Sequence, residues 1–219
     1  MSAVSEIIVR EYFELNGFFV HQQRKYIPRT EEDDEEIDFM VYNPRQQNVP
    51  GKVPSILTSE SIQFVGCAIV SVKGWHTEVV TPSIVKRMES DLIRLVGKES
   101  EKYVSQMKIQ PQSLLKIVVI PALTTNIEQR EKTLQMFNAI GVNSIIQFKT
   151  ILNELIEKVQ VNHNYSKSDV LQTIRILKAY DLFKEPQMLL FEGRRRKTIK
   201  PRGRTDQTTN KLNNEQSNG

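Results

Sequence analysis

Two residues carry the chemistry readable in this sequence: Asp38, in Glu36-Ile37-Asp38-Phe39-Met40-Val41, and Lys73, in Ala68-Ile69-Val70-Ser71-Val72-Lys73-Gly74. An aspartate of this kind suits magnesium, which takes oxygen ligands and keeps several waters. One or two carboxylates then suffice where a substrate phosphate supplies the remaining oxygens. A lysine beside such a centre stabilises hydroxide or the negative charge that develops on a phosphoryl group. Alternation along a strand predicts Asp38 on the face opposite Phe39 and Val41, and Ser71 and Lys73 together on one face of the next strand. Ser71 is a poorer metal ligand than a carboxylate, and no histidine stands at a spacing that suggests a base for serine chemistry.

Positioning these residues requires a sheet, and the pattern supplies one. Residues 3–15 read as an opening helix with Ile8, Val9, Tyr12 and Phe13 at helical spacing and Asn16-Gly17 as its stop. A strand over 18–27, a turn through the acidic run 31–36 and a strand over 37–42 make an antiparallel hairpin. Residues 45–61 have no stable period and read as a long connection. The nearly continuous apolar run 64–72 predicts a strand buried on both faces. Thr81-Pro82 opens a helix that places Ile84, Val85, Met88, Leu92 and Val96 on one face until Gly97. A buried strand over 114–120, a helix over about 127–139 and a short strand over 144–148 complete an α/β order. Amphipathic helices over 151–159 and 167–183 follow, the second capped by Ser166 or Ser168, with a polar linker around His163 between them. The organisation read from this is an α/β core over 1–148, a helical extension over 149–192 and a disordered basic tail over 193–219.

The Asp38 and Lys73 segments, in this order among the strands, resemble the PD-(D/E)xK, or restriction-endonuclease-like, nuclease superfamily over roughly residues 5–122. The resemblance implies a mixed sheet flanked by helices and a Mg²⁺- (or Mn²⁺-) dependent endonuclease acting on DNA, with Asp38 as metal ligand and Lys73 beside it. Ser71 stands where the superfamily places an acid. Some members supply that acid from the following helix, which points to Glu89, with Glu78 behind it. A further glutamate from the first helix points to Glu6, with Glu11 competing for the role. The alternative is a catalytically inactive nuclease-like domain that binds nucleic acid or a protein partner. A homodimer suits double-strand cleavage by the same analogy.

The remaining features set the context. The chain carries a net charge of +4, but from Gly193 onward eight Lys/Arg face only Asp206 and Glu215, a net of +6, so residues 1–192 carry about −2. Arg194, Arg195, Arg196, Lys197, Lys200, Arg202 and Arg204 form a dense stretch suited to phosphate contacts and counterion release. A solubilising tail has the same composition. Trp75 and His76, directly after Lys73, suit either nucleotide contact or packing. His21 and His163 have no partner at ligand spacing. Cys67, the single cysteine, reads as a small core residue of a reducing compartment. No apolar run reaches the length of a membrane span and no secretory signal opens the chain, so a soluble cytoplasmic protein is expected.

Overall fold

A computed structural model describes residues 3–22, 37–46, 53–107 and 114–183. Helix α1 (Ala3–Leu15) turns Val9, Tyr12 and Phe13 fully inward. Its exit passes through Gly17 at φ 83°, a left-handed conformation that costs a residue without Cβ little. Strand β1 (Phe19–Gln22) then pairs antiparallel with β2 (Phe39–Tyr42), from Phe19↔Tyr42 to Gln22↔Phe39. The acidic run expected between them lies outside the described residues.

The connection expected over 45–61 contains a strand, β3 (Ile56–Leu57). A 3-10 turn at Ile62–Phe64 follows, so the central strand β4 (Cys67–Val72) begins later than the apolar run does. All six residues of β4 are buried, as a strand covered on both faces requires. Strands β5 (Leu114–Ile120) and β6 (Ser144–Gln147) complete a six-stranded mixed sheet of order β1-β2-β4-β5-β6-β3. Pairing is antiparallel from β1 to β4 and parallel from there to β3.

The single helix expected over 81–97 is broken. Helix α2 (Pro82–Arg87) stops at Met88, whose ψ of 1° leaves the helical range, and α3 (Glu89–Arg94) restarts directly. Thr81 makes no side-chain cap; Pro82 in the first turn, with its pre-set φ, starts α2 instead. A π-type turn over Leu95–Glu99 has Gly97 at φ −88°, ψ −113°, and leads into α4 (Ser100–Met107), which the pattern did not show. Helix α5 (Ile127–Ile140) is capped by the Asn126 side chain, which accepts from the Gln129 amide at 3.0 Å, and ends on Gly141 at φ 104°.

Each sheet face carries its own core. Phe39, Val41, Ala68, Val70, Val72, Ile117 and Val119 pack with α1 on one side. Met40, Cys67, Ile69, Val118 and Ile120 pack with Val85, Met88, Leu92 and Phe137 on the other. Helices α6 (Phe148–Lys158) and α7 (Asp169–Ala179) place Ile151, Leu155, Leu171 and Ile174 in the first core. The expected helical extension therefore belongs, through Leu182, to the same compact unit as the sheet. Ser168 is the cap of α7, its hydroxyl accepting from the Leu171 amide at 3.2 Å. No helix of the described residues is long and apolar enough to cross a membrane.

The first core also encloses polar groups. Glu154 is buried and holds Lys158 Nζ at 2.7 Å, while Lys158 donates to Asn16 Oδ1 at 2.6 Å, tying α6 to the end of α1. Burial, then the charge of Glu154, pushes the Tyr12 phenol well above its ordinary pKa of 10.0. In the unfolded chain this phenol ionises near pH 10, and in the folded chain it does not. Its contribution to stability is therefore complete below pH 10 and declines as pH rises beyond it, by about 1.4 kcal/mol per pH unit. Urea titrations between pH 9 and 11.5 are expected to show a shallower alkaline loss of stability for Tyr12→Phe than for wild type; parallel curves would contradict this assignment.

Candidate active site

The site lies at the carboxyl ends of the parallel strands, where open α/β sheets place ligands. Ser71 and Lys73 follow Cys67 and Ile69 onto the face covered by α2, α3 and α5, as alternation predicts. Lys73 continues the ladder after β4: its amide donates to Val119 O at 2.8 Å. Its side chain is only 8% exposed, and Nζ lies 3.7 Å from Asp91 Oδ2 of α3. That separation is an ion pair without hydrogen-bond contact. Asp91, 39% exposed, also faces Arg94 Nη2 at 3.6 Å.

Alternation does not determine where Asp38 points. The Asp38 amide donates to Val70 O at 3.0 Å, although Val70 is already the register partner of Phe39. Two residues of the incoming strand thus oppose one, the signature of a bulge, and bulges re-aim side chains. The carboxylate turns into the ladder, where Oδ2 accepts the Val72 amide at 2.7 Å. A side chain has taken the acceptor position of a main-chain carbonyl, and it stands beside the residue that precedes Lys73. Ser71, the residue before Val72 on β4, is fully buried, its hydroxyl without a hydrogen-bond partner among the described residues.

The other expected residues distribute differently. Glu89 is exposed; the carboxylate that α3 brings to Lys73 is Asp91. The available signal was Ser90-Asp91, residue types that disfavour helix interiors and favour helix starts. Glu78 is exposed and accepts from Arg87 Nη2 at 2.6 Å. Glu6 is buried on α1 and accepts from Gln22 Nε2 at 3.1 Å, next to the start of β2. Glu11 is buried one turn further on, with Arg10 Nη2 at 3.5 Å. Trp75 packs against the second core, its Nε1 buried without a partner among the described residues. His21 and His163 are exposed. Cys67 is buried, and burial raises its thiol pKa. The basic residues Arg194 to Arg204 lie outside the described residues.

Among the described residues no group of three or more His, Cys, Asp or Glu side chains is placed to hold a metal ion. An all-protein cage of the zinc or calcium kind is therefore not assembled from them. The donors at the Asp38 end suit magnesium better, because it needs few protein oxygens. Asp38 supplies a hard carboxylate, held at Oδ2 by the Val72 amide.

Gly74 is constrained by a close approach. A Cβ there would stand 2.7 Å from Ser5 Oγ and 2.9 Å from Ser5 Cβ of α1. The hydroxyl can rotate away, but the Cβ moves only with the helix. Gly74→Ala is expected to cost about 1–3 kcal/mol in urea unfolding, a typical overpacking penalty; unchanged stability would show that α1 shifts freely.

Neither protein-family models, nor curated proteins, nor solved structures show any match to the chain.

Proposed function

We propose that this protein is a magnesium-dependent nuclease with a restriction-endonuclease-like core, hydrolysing phosphodiester bonds in DNA. The observation that carries the reading is the pairing of Asp38 with the end of β4. Its carboxylate is bonded to the amide next to Lys73, at the carboxyl ends of parallel strands, with a second carboxylate 3.7 Å from the lysine ammonium. Asp38, with Asp91 in place of Glu89, would hold Mg²⁺ (or Mn²⁺). When bound, the metal supplies an activated water and neutralises phosphate charge.

The chain's own residues do the rest. Lys73 is nearly buried, so its positive charge acts in a low-dielectric setting on a phosphate at the strand end. Asp91 orients that ammonium while remaining hydrated. The tail from Gly193 adds lysines and arginines for sequence-independent, salt-sensitive attraction to the DNA backbone. Incubating plasmid DNA with the full chain in Mg²⁺ or Mn²⁺, against an EDTA control, tests the reading: metal-dependent nicking supports it, and intact DNA counts against it.

A second reading is favoured by Ser71. With a hydroxyl where an acid is expected and Lys73 engaged by Asp91, the domain binds nucleic acid without cutting it. Salt-sensitive retention of DNA without cleavage in either metal is the outcome that selects it.

A further inference from the structure

Beyond Lys73 the strand delivers a histidine in an unusual setting. His76 is exposed, yet one edge of its ring is fixed: Nε2 lies 3.0 Å from Ser5 Oγ, and Ser5 itself is only 2% exposed. The ring also stands edge-on to Phe148 at the start of α6, 4.3 Å between centroids and 64° between planes. The close approach of Gly74 to Ser5 brings the hydroxyl within reach, so three elements, β4, α1 and α6, converge to orient one imidazole. Such pre-ordering of an exposed ring is what a binding group requires, because little further entropy is lost when the ligand arrives.

The nucleophilic interpretation of a Ser–His pair fails on access, since Ser5 is buried. What remains is the other nitrogen. With Ser5 donating to Nε2, Nδ1 carries the proton; with the ring charged, both nitrogens carry one. In these two states Nδ1 presents an N–H, which no described residue accepts; in the remaining tautomer, with Nε2–H donating to Ser5, it does not. Two residues, Gly74 and Trp75, separate His76 from Lys73, and three chain steps reach at most about 11 Å, or one to two nucleotide steps.

We propose that His76 is a phosphate-binding residue. It donates through Nδ1 to a backbone phosphate of the nucleic-acid strand whose neighbouring phosphate lies at Lys73. This rests on the nucleic-acid reading above and adds a residue that the Asp38–Lys73 site does not contain.

The chain has three histidines, so imidazole signals are separable by NMR in the full-length protein. A short single-stranded oligodeoxynucleotide is titrated in EDTA, where no cleavage intervenes, and binding is followed in parallel by fluorescence anisotropy. Substituting the exposed His21 and His163 by Gln assigns the remaining signal to His76 without disturbing its packing. The His76 resonances are expected to move in step with binding, and His76→Gln is expected to weaken binding about tenfold, as for loss of a charge-assisted hydrogen bond. Saturable binding that leaves the His76 signals unmoved overturns the proposal while sparing the nucleic-acid reading. Absence of any binding overturns both. Should His76→Gln unfold the protein, the wild-type titration decides alone.

Discussion

Asp38→Asn is expected to lower metal-dependent cleavage about 10³-fold or more while leaving the fold in place. The substitution is nearly isosteric, and an amide oxygen can still accept the Val72 amide that Oδ2 now holds at 2.7 Å. The strand end therefore keeps its cap, and the Val72 amide is not stranded. What is lost is the negative charge and a hard oxygen ligand. A metal centre supplies several kcal/mol of transition-state stabilisation, and about 4 kcal/mol is a factor of about 10³. Asp38→Ala is the less clean variant, because it also leaves the Val72 amide without an acceptor in a buried ladder. Circular dichroism and a urea midpoint close to wild type for Asp38→Asn, together with lost cleavage, separate the chemical role from the structural one.

Lys73→Met is expected to cut cleavage by about 10²–10³-fold with stability unchanged or raised. The lysine side chain is 8% exposed, so its ammonium carries a desolvation cost, and its ion pair with Asp91 is long, at 3.7 Å. Methionine fills the same volume with an apolar chain. Asp91 is not trapped by the loss: it is 39% exposed and retains Arg94 at 3.6 Å. Stability is thus predicted to move opposite to activity, a pattern that loss of folding cannot imitate. Parallel falls in the urea midpoint and the cleavage rate would instead make Lys73 a structural residue.

Much of this arrangement was legible in the residues because burial writes itself into composition. The apolar runs that became β4 and β5 can sit only between two covered faces, and the parity of Cys67, Ile69, Ser71 and Lys73 followed directly. Features decided by tertiary pairing were not legible. Strand β3 is two residues long and exists because Ile56 and Leu57 find Ile145 and Ile146 alongside, with Ser144 Oγ donating to Pro54 O at 2.8 Å. Nothing local distinguishes such a strand from a loop.

The two departures at the site have the same origin. Asp38 reaches its position through a one-residue slip in the ladder, which a period-two argument has no means to anticipate. A helical wheel drawn unbroken from Val85 sets Glu89 beside the apolar face. The interruption at Met88 starts a new helix, and Asp91 becomes the acid that meets Lys73. The residue types needed for chemistry were visible, but their register depended on two backbone irregularities.

The most direct test measures metal-dependent DNA cleavage by wild type, Asp38→Asn and Lys73→Met side by side, at equal folded concentration and with EDTA controls. Cleavage by wild type alone is expected. Cleavage that survives both substitutions, or folded wild type inert in both Mg²⁺ and Mn²⁺, would contradict the assignment of a nuclease centre to Asp38 and Lys73.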